Sequence, residues 1–455
     1  MTYLVRRPTE AELPVFRSTM GAGFGELVDN AAPDSSARLA EHDRDWAAFD
    51  VFDSAAVADR AEVGEMAGTA TAHSFSLTMP GGAQIPAGGL AGVAVLATHR
   101  RRGILRSLMQ AHLDECVERG EVASLLTASE TGIYDRFGYG WAVEHEWLRI
   151  AAERGRFRAD LADGPWSRYR PRTLLRDDMV ARLPAIYDRV QALRPGMLSR
   201  IPEWWDAVFD AKEGWKGGGD LFCAVVGDPA VGEPKSGISL GYVLYVLKHS
   251  TDEAHLRHCL TIKELVATDA DAEAALWRHC LDRDLVSQVD YPTAAVDAPI
   301  RRMLAEPRWM RVDQRNDEMW LRPLDVPRLL EARTFASRDV LVVDVVDSLR
   351  PEIGGRFRID STGSQASSGS PGLSSGFTAT VERVDAGAGG AGDAGNPKKP
   401  DLSMPVDVLG AISLGGVSPV AFGLAGRISV GGEGALQRAH AMFATATPPW
   451  NPTRF

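Results

Sequence analysis

The sequence predicts an α/β protein in which one strand–turn–helix–strand unit is used twice, followed by a separate α+β domain. Three observations carry this prediction. The first 150 residues alternate strand-like apolar runs with amphipathic helical stretches. The junction Leu96-Ala97-Thr98 recurs as Val266-Ala267-Thr268, each time ending a strand and running into a helix. The last third loses that rhythm and reads as short strands and helices around two low-complexity stretches. A length of 455 residues suits about three domains. At 45% hydrophobic and 24% charged, the composition is globular and excludes disorder, collagen repeats and small disulfide scaffolds.

Taken in order, the N-terminus Met1-Thr2-Tyr3-Leu4-Val5-Arg6-Arg7-Pro8 turns polar before an apolar secretory core can form. Ala91-Gly92-Val93-Ala94-Val95-Leu96 reads as a strand. From Ile104 to Glu118, Leu105, Leu108, Met109, Leu113, Cys116 and Val117 fall at helical spacings on one face. Arg119 then places a cation at the negative end of the helix dipole, and Gly120 takes the left-handed cap. Val122-Ala123-Ser124-Leu125-Leu126 begins the next, buried strand. Residues 1–160 make the first domain, and residues 161–309 a structural copy with its helix at Ala272 to Leu281. The turn before that second helix carries Asp269, Asp271 and Glu273 in place of three arginines and a glycine, so it repels anions. Residues 310–455 form the α+β domain, with strands at Val340–Val346, Arg356–Ile359 and Phe377–Val384 and helices at Val326–Arg333 and Ala435–Phe443. Its stretches near 361–376 and 385–399 lack the apolar residues to pack and are expected to be mobile loops.

The formal net charge is −11, from 50 Lys and Arg against 61 Asp and Glu. Such a field repels nucleic acid and anionic membrane and favours a basic partner or substrate. The longest apolar stretch, Ala87 to Thr98, is broken by glycines and far short of the ~20 residues that a membrane span needs. Cys116, Cys223, Cys259 and Cys280 are scattered without a CxxC pair, which suits a reducing, cytoplasmic compartment. His255, His258 and Cys259 lack a second ligand cluster, so no metal site is expected.

The sharpest chemical feature is His99-Arg100-Arg101-Arg102-Gly103-Ile104-Leu105-Arg106, at the handover from a buried strand to an amphipathic helix. Backbone N–H groups there are unpaired and carry the positive end of the helix dipole, and arginines add charge and reach. Glycine lets a ligand approach the main chain. A bare Arg-Arg-Arg-Gly is often only a solvated basic turn; its placement between strand and helix favours a pyrophosphate site. A nucleic-acid patch would need a basic stripe in a chain that is acidic. A dinucleotide fold would need G-x-G-x-x-G in this turn, where Arg100 to Arg106 has one glycine, and the GK[ST] phosphate loop is absent. A coenzyme diphosphate held by an arginine-glycine turn remains.

Arg100-x-x-Gly103-x-Leu105 resembles the acetyl-CoA loop of GNAT acetyltransferases, with Leu105 departing from the small residue usual at its end. With Leu126-Thr127-Ala128-Ser129-Glu130-x-Gly132-Ile133-Tyr134-x-Arg136-Phe137-Gly138-Tyr139-Gly140, the chain resembles the Eis (enhanced intracellular survival) family of N-acetyltransferases. The resemblance extends to Asp317-x-x-Trp320-Leu321-Arg322, Asp325-Val326-Pro327, Leu330-Glu331-Ala332-Arg333 and the aromatic C-terminus Phe455.

That resemblance implies tandem GNAT domains, the N-terminal one active and the central one degenerate, followed by a sterol-carrier-protein-like α+β domain. It implies an enzyme that moves acetyl from acetyl-CoA to an amine, aminoglycosides and other polyamine-like compounds first, by direct transfer in a ternary complex. Acetyl-CoA contacts are implied for Val93, Ala94 and Val95, for Arg101, Arg102, Gly103, Ile104, Leu105 and Arg106, and for Ser129 and Glu130. The residues alone leave Tyr134 and Tyr139 open as the acid for the departing thiolate; the resemblance assigns Tyr134, and the terminal carboxylate of Phe455 as its catalytic companion. Phe24 and Glu26 resemble the aromatic and acidic pair that lines the substrate cleft. Where relatives carry an acidic residue before the last, this chain has Arg454, which makes a less negative amine pocket the expectation. A hexamer is implied as the assembly. The rival readings are a protein or peptide lysine acetyltransferase, and a non-catalytic lipid- or sterol-binding protein in which the third domain acts.

Overall fold

The computed structural model describes residues 2–28, 30, 38–51, 63–161, 163–209, 220–227, 239–252, 255–365, 376–384 and 399–455. The low-complexity stretches 361–376 and 385–399 fall largely outside the described residues.

The first unit holds β1 (Thr2–Arg6), α1 (Leu13–Phe24), β2 (Trp46–Val51), β3 (Val63–Thr78), β4 (Gln84–Val95), α2 (Ile104–Glu118), β5 (Ala123–Leu126) and β6 (Gly140–Ala151). The second holds β7 (Arg172–Leu174), α3 (Arg176–Gln191), α4 (Pro202–Phe209), β8 (Leu221–Gly227), β9 (Ser239–Asp252), β10 (His255–Ala267), α5 (Ala270–Leu281), β11 (Val286–Ala295), α6 (Ile300–Met303) and β12 (Met310–Pro323). All twelve strands join one sheet in the order β1-β2-β3-β4-β5-β12-β6-β11-β10-β9-β8-β7.

The repeat read from the sequence is visible in the pairing. β4 lies parallel to β5 and β10 parallel to β11, each pair bridged by the helix between them. β3–β4 and β9–β10 are antiparallel and both carry a register shift on the way to that helix, at Thr69/Thr71 and at Ile262/Glu264. Met310–Pro323, grouped by sequence with the third domain, instead lies as β12 between β5 and β6 of the large sheet. The physical reason is its buried end: Glu318 to Pro323 are all buried, and pairing on both edges satisfies the backbone groups that burial removes from water. The two units therefore interlock, with the second unit's last strand beside β5 and the first unit's last strand beside β11.

The third region contains α7 (Val326–Glu331), β13 (Val340–Val346), β14 (Gly355–Asp360), β15 (Thr380–Arg383), β16 (Leu402–Pro405), α8 (Val406–Ser413), α9 (Pro419–Leu424), β17 (Ser429–Val430) and α10 (Ala435–Phe443). Its strands form a five-stranded sheet, β15-β14-β13-β16-β17. Every residue of α8 is buried, because the helix packs on β6 and β12 as well as on β13 and β16. One apolar core consequently runs from Leu108 and Leu113 of α2 through Trp320 to Leu341, Leu409 and Phe443. Among the described residues no helix is long and apolar enough to cross a membrane.

Candidate active site

A cavity of about 1090 Å³ opens where β4 and β5 part. Ala87 to Leu90 pair with Ala123 to Leu126, after which β5 ends and β4 runs on to Val95. Gly92 sits at the parting with φ +55° and opposes the register shift in β3, while Thr69 Oγ1 donates to its carbonyl at 2.9 Å. Leu90 to Val95 thus present a strand edge to the cavity, as a site for an amide-bearing arm requires. Thr127 Oγ1, just past β5 and lining the same space, is buried with no hydrogen-bond partner among the described residues.

At one end of the cavity stands the basic turn. Arg101 adopts φ +63° and Gly103 φ +87°, so two left-handed residues fold the turn tightly ahead of α2. No side chain caps α2 at Gly103, leaving its first N–H groups without an intrahelical acceptor. Arg100, Arg101, Gly103, Ile104, Leu105 and Arg106 line the cavity, joined by Arg136. Arg102 points elsewhere, donating to the Tyr3 hydroxyl of β1 at 3.0 Å. This geometry fits a pyrophosphate, with open dipole-end donors and cations around them.

The second unit shows the same place closed. Asp269 caps α5 with its own carboxylate, accepting from Ala272 N at 2.9 Å. The Tyr291 hydroxyl accepts from Leu265 N of β10 at 3.3 Å, within the parting of β10 and β11. Burial pushes the Glu273 carboxyl of the first turn up to about 7.

The far end of the cavity gathers Ile133, Tyr134, Phe137 and the chain terminus Phe455 with Phe24. Tyr134 is 9% exposed, and burial, then the charge of Glu130, raises its phenol pKa above the ordinary value. Tyr139 lies behind it, ring centroids 6.1 Å apart, fully buried and bonded to Ser124 Oγ at 2.7 Å, outside the cavity lining. Ser124 in turn meets His112 Nε2 at 2.8 Å, and burial with the charge of Arg44 holds that imidazole down at about 3, neutral.

Phe455 packs on Phe75 with centroids 4.9 Å apart, and Phe75 packs on Trp204 at 5.6 Å. Glu26 is exposed just beyond α1 and does not line the cavity, whereas Phe24 does. Arg454 turns away from the cavity to the buried carboxylate of Glu318, at 2.9 and 3.0 Å, which offsets its charge and removes the reason to expect a less negative pocket. The structure therefore brings together Val93–Val95, Arg101, Gly103–Arg106, Ser129, Glu130, Tyr134, Phe455 and Phe24, and leaves Arg102 and Glu26 outside.

Several lining residues escaped the sequence reading. Gly92 had a signal, a glycine inside a strand pattern. Ser348 and Leu349 reach the cavity from the third domain on a turn that Asp347 holds, its carboxylate accepting from Leu349 N, Arg350 N and the Arg322 guanidinium. Nothing local in the sequence marks that contact. Among the described residues no three His, Cys, Asp or Glu side chains gather as metal ligands.

Comparison with known proteins agrees with this division. Profiles described as acetyltransferase (GNAT) domains match residues 4–142 and 196–323, and one described as a sterol carrier protein domain matches 326–452. The N-acetyltransferase Eis of Mycobacterium tuberculosis is 30% identical over 451 residues, covering 98% of each chain. An uncharacterized N-acetyltransferase of Streptomyces avermitilis is 33% identical over 389 residues, covering 85% of this chain and 86% of its own. The crystal structure of Eis1 from Mycobacterium abscessus superposes with a TM-score of 0.78 at 28% identity over the whole of both chains. The chain belongs to the Eis family: an acetyl-CoA-dependent N-acetyltransferase of two GNAT domains and a sterol-carrier-like domain.

Proposed function

We propose that the enzyme acetylates amino groups of polyamine-like small molecules, aminoglycosides first, by direct transfer in a ternary complex with acetyl-CoA. The observation that carries this reading is the meeting, in one cavity, of the uncapped basic turn, Tyr134 and the terminal residue Phe455. The diphosphate sits at the start of α2 on Arg101 and the Gly103–Arg106 main chain, and the pantetheine arm runs along Val93–Val95 with Ser129 and Glu130 beside it. The thioester then lies near Tyr134.

A neutral amine attacks the thioester carbonyl carbon, the C–S bond breaks and the sulfur takes the Tyr134 proton, while the proton lost by the attacking nitrogen passes through water to restore the phenol. The raised phenol pKa keeps Tyr134 protonated at neutral pH. It also makes stepwise donation to a thiolate of conjugate pKa ~8.5 uphill, so donation is concerted with C–S cleavage. An α-carboxylate, ordinarily of pKa ~3.5, is too weak a base to act alone; that of Phe455 attracts and orients the ammonium, whose proton passes to water before attack.

Four thiols unpaired among the described residues support a reducing, cytoplasmic setting. The hexamer implied by the family resemblance is retained as the proposed assembly. A screen of aminoglycosides, linear polyamines and lysine peptides with acetyl-CoA, read by thiol release, tests the reading. Highest kcat/KM on aminoglycosides supports it; preference for lysine peptides overturns the acceptor, and no thiol release with any amine overturns the activity.

A further inference from the structure

The second GNAT unit has lost its coenzyme turn, yet it keeps a costly feature with no part in coenzyme binding. Arg200 is almost wholly buried, 1% exposed at the side chain, beside Glu264 at 5%. Its Nη1 and Nη2 donate to the two Glu264 oxygens at 3.1 and 2.7 Å, the Tyr242 hydroxyl meets the same carboxylate, and the guanidinium lies 4.1 Å above the Tyr187 ring. A buried ion pair rarely stabilises a fold more than apolar residues of the same volume would. What the pair delivers is a further, fixed donor: Arg200 Nε donates to Thr453 Oγ1 at 2.8 Å, and the Tyr187 hydroxyl meets that same oxygen at 2.8 Å.

Thr453 is two residues from the chain end. Upstream, Trp450 Nε1 donates to Thr293 O at 2.9 Å and Trp450 N to Pro195 O at 2.9 Å, both in the second unit. The Asn451 side chain closes a turn on Thr453, accepting from its N–H and donating to its carbonyl. Downstream, Arg454 is held by Glu318 of β12, which His145 Nδ1 of β6 approaches at 2.7 Å. Phe455 then reaches Phe75 and the cavity.

We propose that the second GNAT unit serves as the clamp of the catalytic tail: Arg200, set by Glu264 and Tyr187, fixes Thr453 and so positions the Phe455 carboxylate in the first unit's cavity. Arg200 and Thr453 are positioning residues. The inference rests on the proposed role of that carboxylate and adds the device that places it.

Thr453→Val removes the accepting oxygen at nearly constant volume, and Thr453→Ser keeps it. In the full-length chain, with acetyl-CoA and neomycin as probes, Thr453→Val lowers kcat/KM for neomycin by about tenfold, the scale of a hydrogen bond to a charged group. Carboxypeptidase releases its Phe455 at least several-fold faster, the acetyl-CoA Kd stays within twofold, and Thr453→Ser restores both properties. A chain ending at Arg454 separates the two ideas. If that truncation is inactive while Thr453→Val has wild-type kinetics and Phe455 release, the clamp is wrong and the carboxylate role stands. If the truncation retains full turnover, the carboxylate role fails and the clamp with it.

Discussion

Two residues concentrate the proposed chemistry. Replacing Tyr134 by phenylalanine removes the proposed proton donor and little else, since no described side chain hydrogen-bonds its hydroxyl and its ring packing on Tyr139 remains. We expect kcat to fall about ten- to a hundredfold with the acetyl-CoA Kd unchanged, as stopped-flow turnover and calorimetry would read. Gly103 stands at the proposed binding end. At φ +87° a β-carbon meets nothing within 4 Å of protein, so a side chain there costs about 1–2 kcal/mol of left-handed backbone and otherwise intrudes on the ligand. Gly103→Val is therefore expected to lower Tm by only a few degrees while raising the acetyl-CoA Kd at least tenfold.

At the scale of elements, α2 and α5 occupy matching places in the two units with opposite electrostatics. The start of α2 is uncapped and ringed by arginines; that of α5 is neutralised by Asp269. Asp269→Ala deletes a cap worth about 1 kcal/mol and should lower thermal stability slightly. It should not create a second coenzyme site, because Tyr291 still occupies the parting of β10 and β11. This contrast was legible in the sequence, since a cap, a helix period and a basic or acidic turn are all local. Ile104–Glu118 emerges with the bounds that its periodicity predicts, Ala435–Phe443 is the helix expected there, and Gly120 takes the left-handed cap at φ +71°. What stayed hidden is what long-range contact decides. β12 joins the large sheet rather than the third domain, Ser348 and Leu349 enter the cavity from another domain, and the partner of Arg454 lies 136 residues away.

The whole molecule brings three regions to one cavity: the basic turn from the first unit, the tail held by the second, and a wall turn from the third. Glu318 is one of the joints. Burial pushes its carboxyl up, but the approach of His145 and the charge of Arg454 outweigh this and hold its pKa below the ordinary 4.5. The unfolded chain binds the proton more readily, so this stabilisation is complete above about pH 4.5 and is lost as pH falls through the depressed value. Glu318→Gln should accordingly lower Tm at pH 7 and approach the wild type as the pH drops below 4. A constant difference down to pH 3 would contradict that assignment.

On the proposed function, one GNAT unit of the two holds acetyl-CoA, at the start of α2. Titrating acetyl-CoA into the full-length protein by calorimetry tests it most directly. One site per chain is expected, weakened at least tenfold by Gly103→Val and unchanged by Asp269→Ala; two sites per chain, or affinity that ignores Gly103→Val, would rule this out.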